Sequence, residues 1–194
     1  MSNVGSSGKA QGGELEERVD LTSETDAKLE QSASLAKSGQ VREALAMLAA
    51  LEKRCRVGND NPNLIRVCEA SLQYCKDAGD YELLMTTLQT LSTRRSQKTQ
   101  AVRALVQKAI PWAVKDQFTP LEVPEEEKEA RDKLVVALRD ITDGKIFLEG
   151  ERARLTRALA IIKVRFRESY FWSRKSKTPF THSFSSRVIL GTRG

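Results

Sequence analysis

The chain has 194 residues and a mass of 21.7 kDa, which excludes a large multidomain enzyme and fits one domain with or without tails. Hydrophobic residues make up 40% of the chain and charged residues 30%, so the apolar content is sufficient for a folded core. Aromatic residues make up only 6%, and this composition favours helices over sheets. We therefore expect an all-α protein.

The net charge of +6 is concentrated near the end of the sequence. Residues 164–194 contain seven Lys or Arg and a single acid, Glu168, whereas the first 163 residues contain 25 basic and 25 acidic side chains. The same stretch holds six of the eleven aromatic residues and the one histidine, His182. The main body is therefore neutral, and a nucleic-acid-binding role is a hypothesis for the basic aromatic tail rather than for the body.

No targeting segment is recognisable in this sequence. Residues 1–13 are rich in Gly and Ser without an apolar region, and no stretch approaches the eighteen apolar residues of a transmembrane helix. The three cysteines are an odd number in a chain without a secretory signal, which argues against disulfides. We expect a chain of the reducing cytoplasm or nucleus, with no membrane partner.

The predicted elements begin with a flexible extension over residues 1–22. A helix follows and ends at Gly39, and a second helix starts at Gln40, with charged side chains such as Glu52 directed mainly away from its apolar face. That apolar face consists of Val41, Leu45, Leu48 and Leu51.

The next pair of helices repeats this plan. Asn61 and Pro62 are typical of an N-cap followed by proline in the first turn, and Gly79 ends the third helix. The apolar faces of this pair are Leu64, Cys68, Leu72 and Cys75, then Tyr81, Met85, Leu88 and Leu91. The residues after Gly79 have the same offsets as those after Gly39, which gives a period of 40 residues. This repeat predicts a right-handed α-solenoid of antiparallel, TPR-like helix pairs.

Three more helices complete the prediction. The fifth covers residues 100–115 with a kink at Pro111, and a loop with two prolines follows over residues 118–124. The sixth runs from Pro124 to Gly144, and the seventh covers residues 145–163. Their apolar stripes are Ala130, Leu134, Leu138 and Ile141, then Leu148, Leu155, Leu159 and Ile162. The solenoid thus covers residues 23–163, and residues 164–194 form an irregular, disordered tail.

No catalytic or cofactor-binding pattern stands out. Gly5, Gly8 and Lys9 lack the spacing of a phosphate loop, and the carboxylates lie in helical charge patterns. Cys68 and Cys75 share a helical face, but a structural zinc site needs four ligands. We expect no catalytic residue, no cofactor, no metal and no small-molecule substrate, and therefore not an enzyme.

Two groups of charged residues are the candidate protein-contact residues. The first lies between the fourth and fifth helices, and the second lies in the Glu-Arg-Ala-Arg-Leu-Thr segment of the seventh helix. They are Arg94, Arg95 and Lys98, and Glu151, Arg152 and Arg154. A phosphate contact at the first group has little support, because the surroundings are neutral and without stacking aromatics.

Several short sequence motifs resemble those of a known protein family. They are Leu35-Ala36-Lys37-Ser38-Gly39, Leu51-Glu52-Lys53, Leu91 to Lys98 with Gln100-Ala101-Val102, and Asp143-Gly144-Lys145-Ile146 leading into Glu151 to Thr156. Together they resemble the N-terminal part of the non-ATPase regulatory subunit 12 family of the 26S proteasome, which are lid subunits of the PCI class. The resemblance covers roughly residues 21–163.

This resemblance implies a noncatalytic scaffold that packs with other lid subunits of the regulatory particle, in ubiquitin-dependent protein degradation. Family members continue into further solenoid and a winged-helix PCI module, which we expect to be absent here. Without that continuation, Leu155, Leu159 and Ile162 should be partly exposed.

Alternatives remain open at this point. The tail over residues 164–194 is either a functional basic extension or translated noncoding sequence, and the second is favoured. The chain could instead be a related PCI scaffold of the signalosome or a translation initiation complex, or a nucleic-acid-binding protein that uses its basic tail.

Overall fold

A computed structural model describes residues 19–115 and 118–175 of the chain. This part is all-α, as predicted, and contains seven α-helices joined by short turns and by one longer connection between α5 and α6. The helices are α1 (Thr22–Lys37), α2 (Val41–Val57), α3 (Asn61–Asp77), α4 (Tyr81–Thr93), α5 (Thr99–Ala109), α6 (Glu125–Thr142) and α7 (Glu149–Lys175). Single 3₁₀ turns over Ile110–Trp112 and Ile146–Leu148 follow α5 and precede α7.

Glycines in the left-handed region end three of the helices. Gly39, Gly79 and Gly144 have φ values of +85°, +69° and +67° and follow α1, α3 and α6. Residues other than Gly rarely adopt this backbone conformation, which explains why glycine occupies these positions. The chain reverses at each of them, and the next helix runs back antiparallel. The 40-residue repeat predicted from Gly39 and Gly79 is confirmed.

The helices pack on their neighbours along the chain, which is the arrangement of an α-solenoid. Helix α3 lies at the centre and contacts α1, α2, α4 and α5, while α6 contacts α4 and α7. One continuous apolar core runs between them, and its largest fully buried side chains include Leu48, Leu64, Leu72, Leu84, Leu88, Leu105, Leu134 and Leu138. The handedness of the solenoid stays a prediction.

The ordered region begins earlier than predicted. The Val19 N–H donates to the Gly58 carbonyl oxygen at 3.0 Å, and the N–H of buried Leu21 donates to the Asp60 carboxylate at 3.0 Å. Asp60, not Asn61, is the N-cap residue of α3. The prediction of a flexible extension over residues 1–22 is therefore wrong for residues 19–22, and residues 1–18 lie outside the described part.

Pro111 ends the fifth helix instead of kinking it. Helix α5 stops at Ala109, and the chain turns through the 3₁₀ segment into an antiparallel bridge between Val114 and Pro120. Proline has no N–H to donate and its ring clashes with the preceding turn, so the helix cannot continue to Lys115. The prediction of one helix over residues 100–115 is wrong in this respect.

The seventh helix is longer than predicted. It begins at Glu149 and continues to Lys175, twelve residues beyond Lys163. No proline or glycine interrupts the sequence between Lys163 and Lys175, so nothing local ends the helix. The boundary at residue 163 and the irregular tail from residue 164 are therefore wrong up to residue 175, and the predicted disorder of residues 176–194 lies outside the described residues.

Candidate protein-interaction surfaces

A buried carboxylate organises the first group of candidate residues. The Glu52 side chain on α2 is only 1% exposed, and it accepts hydrogen bonds from Arg56 Nε at 3.2 Å, Gln97 Nε2 at 3.1 Å and the Arg94 guanidinium. Gln97 also donates to the Leu91 carbonyl oxygen at 2.8 Å. The prediction that Glu52 points mainly away from the apolar face of α2 is wrong, because its carboxylate is buried against Arg94, a partner 42 residues later that local spacing does not reveal.

Arg94 therefore connects the first and second helix pairs through Glu52, and its side chain is 25% exposed. Arg95 is exposed, and its carbonyl oxygen accepts a hydrogen bond from Arg56 Nη1 at 2.7 Å. Lys98 is half-buried and immediately precedes α5. Of the three predicted residues, Arg95 has the side chain best placed to meet another molecule.

The end of α2 and the turn after α4, which the hydrogen bond from Arg56 to the Arg95 carbonyl oxygen joins, carry five cationic side chains. We call this region the basic edge, and its members are Lys53, Arg54, Arg56, Arg94 and Arg95. Its carboxylate partners are buried Glu52 and Glu24, which pairs with Arg54. The edge therefore has a positive excess, although the main body is neutral overall.

The second group of candidates connects α7 to its neighbours. Glu151 accepts from Gln107 Nε2 at 3.0 Å, Arg152 pairs with Asp143 at 2.7 Å, and the Arg154 guanidinium lies 5.1 Å from the centre of the Phe118 ring. These contacts hold the start of α7 against α5, the turn after α6 and the loop before α6. The two groups of candidates thus lie on different elements, the turn between α4 and α5 and the start of α7, and each group makes contacts within the fold.

A cleft between α6 and α7 was only partly foreseen. It has a volume of about 1180 Å³, and its apolar lining includes Val136, Leu159, Ile162 and Phe166. Val136 is 41% exposed and Phe166 74% exposed, and Arg165 pairs across the cleft with Glu122 at 3.2 Å.

The predicted exposure of α7 is correct in part. Leu159 and Ile162 are partly exposed, but Leu155 is fully buried because it packs into the core. The missed signal was Phe166, which continues the spacing of Leu155, Leu159 and Ile162 along one helical face.

The cysteines are placed for packing rather than chemistry. All three are buried as free thiols, and burial raises the pKa of the Cys68 thiol to about 12. Burial also raises the pKa of Cys55 and Cys75, so the reactive thiolate is disfavoured at each. Among the described residues, no group of three or more His, Cys, Asp or Glu side chains could hold a metal ion.

Comparison with known proteins identifies the family. A family model described as PSMD12/CSN4, N-terminal, matches residues 43–170, which extend from α2 into α7. The chain belongs to this family. The match passes beyond residue 163, so the expected end of the resemblance at that residue was too early.

Relatives named as 26S proteasome regulatory subunits match the chain in several species. The chain is 38% identical over 144 residues to the 26S proteasome non-ATPase regulatory subunit 12 of Dictyostelium discoideum, covering 74% of this chain and 30% of the relative. It is 36% identical over 126 residues to homolog A of that subunit in Arabidopsis thaliana, covering 65% and 26%. It is 31% identical over 143 residues to the 26S proteasome regulatory subunit rpn501 of Schizosaccharomyces pombe, covering 73% and 30%.

The chain thus spans less than a third of the length of these relatives. The predicted resemblance to the subunit 12 family is confirmed. In the described range, no helix has the length and apolar character needed to cross a membrane.

Proposed function

We propose that the chain acts as a noncatalytic structural part of the lid of the 26S proteasome regulatory particle, in the cytoplasm and nucleus. It contributes to ubiquitin-dependent protein degradation through contacts of its helical repeats with other lid subunits. The observation that supports this most is the family match over residues 43–170, which coincides with the packed helices and accompanies relatives named as proteasome subunits.

The geometry supports a role in protein contacts. The cleft between α6 and α7 presents Val136, Leu159 and Phe166 beside a rim of both charge signs. A cluster of exposed apolar side chains rimmed by charges is typical of a protein–protein interface. We propose that this cleft is a contact face of the chain within the lid.

A cell-based assembly experiment tests this function. The full chain with a small tag is expressed in cells, native complexes are separated by size, and the tag is compared with lid subunits and peptidase activity. We expect part of the tagged chain to comigrate with them. Migration of all tagged chain as a small free species would overturn the proposal.

A cleft variant and a matched control test the contact face. V136S/F166S removes two exposed apolar side chains from the cleft, and we expect comigration to fall at least threefold. I146S alters a side chain that is 88% exposed in the turn before α7 and should leave comigration unchanged. Circular dichroism of each purified chain checks that the fold is retained, and equal comigration of both variants would contradict the assignment of the cleft.

The other hypotheses have weaker support. A scaffold of the signalosome or a translation initiation complex is a related possibility, which the same separation would detect as comigration with those complexes. A nucleic-acid role depends on residues 164–194, and most of these lie outside the described residues.

A further inference from the structure

The basic edge has cations that the fold leaves without partners. Glu52 serves Arg56 and Arg94, and Glu24 serves Arg54. Lys53 and Arg95 are exposed, and their side chains form no hydrogen bond or ion pair within residues 19–115 and 118–175. The positive excess at this edge is therefore available to an anionic group.

An apolar spot lies at the same place. Val57, the last residue of α2, is 74% exposed, and Val19 beside Gly58 is 49% exposed. Val57 is followed directly by Gly58, whose carbonyl oxygen accepts the N–H of Val19. The edge thus combines unpaired cations with two exposed apolar side chains, and it favours a ligand that has carboxylates around one apolar residue.

The chain itself contains such a segment next to this edge. Residues 14–17 read Glu14-Leu15-Glu16-Glu17, which places one leucine among three carboxylates. Residues 14–17 lie two to five residues before Val19. A fully extended chain of that length reaches from about 7 Å for Glu17 to about 17 Å for Glu14. Val19 is hydrogen-bonded to Gly58 at the end of α2, so residues 14–17 are tethered close to the basic edge.

The turn after α4 lies within the same reach. Arg56, two residues before Gly58, donates to the Arg95 carbonyl oxygen at 2.7 Å, so this turn packs against the last turn of α2. The carboxylates of Asp20 and Asp60 accept hydrogen bonds from the main-chain N–H groups of Thr22 and Leu21.

We propose that residues 14–17 of this chain bind the basic edge, with Leu15 on Val57 and the glutamates paired with Lys53 and Arg95. A tether this short gives the segment an effective concentration in the millimolar range, so weak ion pairs suffice to hold it in place. This inference does not depend on the proposed function.

Photo-crosslinking in the full chain tests the contact. Leu15 is replaced by benzoylphenylalanine, the protein is irradiated at low ionic strength, and crosslinked peptides are identified by mass spectrometry. We expect crosslinks within one molecule to residues 53–57 and 94–97. Their yield should fall at least threefold in E14Q/E16Q/E17Q and in 0.5 M NaCl, because added salt screens exposed charges.

Two controls separate this contact from a general charge effect or mere proximity. E43Q/E126Q/E149Q makes the same change in net charge at exposed glutamates in the first turns of α2, α6 and α7, outside the basic edge, and should leave the yield unchanged. K53E/R95E should lower the yield, and combining it with E14K/E16K/E17K should restore it. A crosslink yield that does not change in these charge variants would overturn the proposal. Crosslinks spread over the whole surface, or crosslinks between differently isotope-labelled copies, would also overturn it.

Discussion

Glu52 shows how one residue connects the first two helix pairs. A carboxylate loses its hydration when it is buried, and this cost is offset only by charged or polar partners in good geometry. Two guanidinium groups and one amide supply these partners, and they come from both α2 and the turn after α4. The orientation between these helix pairs therefore depends on an ion pair as well as on the apolar core.

Removing this carboxylate should destabilise the fold. We expect E52A to lower the free energy of unfolding by about 2–3 kcal/mol, since breaking a buried pair leaves charges without compensation and Arg94 and Arg56 are only partly solvated. R95A removes an exposed side chain from the same turn and should change this free energy by less than about 0.5 kcal/mol. Urea denaturation measures both, and equal stability of E52A and the parent chain would contradict the role of Glu52.

At the scale of elements, the glycine turns are the sharpest signals in the sequence. An added Cβ at Gly39 or Gly79 would meet nothing within 4 Å, so a substitution there changes the backbone preference and nothing else. Because both positions have positive φ, we expect G39A and G79A each to lower the free energy of unfolding by about 1–2 kcal/mol.

Gly150 supplies the control for that prediction. It lies in the first turn of α7 without positive φ, and its added Cβ would also meet open space. Alanine favours helix over glycine by about 1 kcal/mol in a helix interior, so G150A should be neutral or stabilising. Thermal or urea unfolding of the three variants measures these free energies. If G150A lowered the free energy of unfolding as much as G39A, the positive φ of Gly39 would not be the cause of the loss.

Elements were predictable where the controlling residues are close in sequence. Gly39, Gly79 and the apolar stripe from Leu64 to Cys75 are local signals, and the structure has the turns and the buried face that they predict. The burial of Leu21 depends on Asp60, 39 residues away, and no local pattern reveals it. The end of α7 was missed because an abrupt change in composition was interpreted as a change in structure, although helical spacing continues to Phe166.

The same distinction holds for the candidate surfaces. Arg94 and Arg154 were predicted as candidate protein-contact residues, but a sequence does not show that one guanidinium pairs with Glu52 and the other lies over the ring of Phe118. The cleft between α6 and α7 arises from the relative placement of two helices, and only its apolar stripe on α7 can be read from spacing.

At the scale of the whole molecule, support is uneven along the solenoid. Helix α3 packs against four other helices, whereas the main helical neighbour of α7 is α6. At a rise of 1.5 Å per residue, α7 is about 40 Å long and α6 about 27 Å long, so α7 is longer than the helix it packs against. The ion pair of Arg165 with Glu122, just before α6 begins, marks where this overhang starts.

Hydrogen exchange should follow this gradient. Amide protection reports the free energy of local opening, which falls where few apolar contacts hold a helix. We expect the slowest exchange in α3, faster exchange over residues 149–163, and the fastest exchange in α7 beyond Arg165. Mass spectrometry of peptides from the exchanged chain measures this, and the helix-favouring variant G150A controls for the intrinsic propensity of α7. Protection over residues 145–163 equal to that over residues 40–91 would show that α7 is stabilised by contacts other than those with α6.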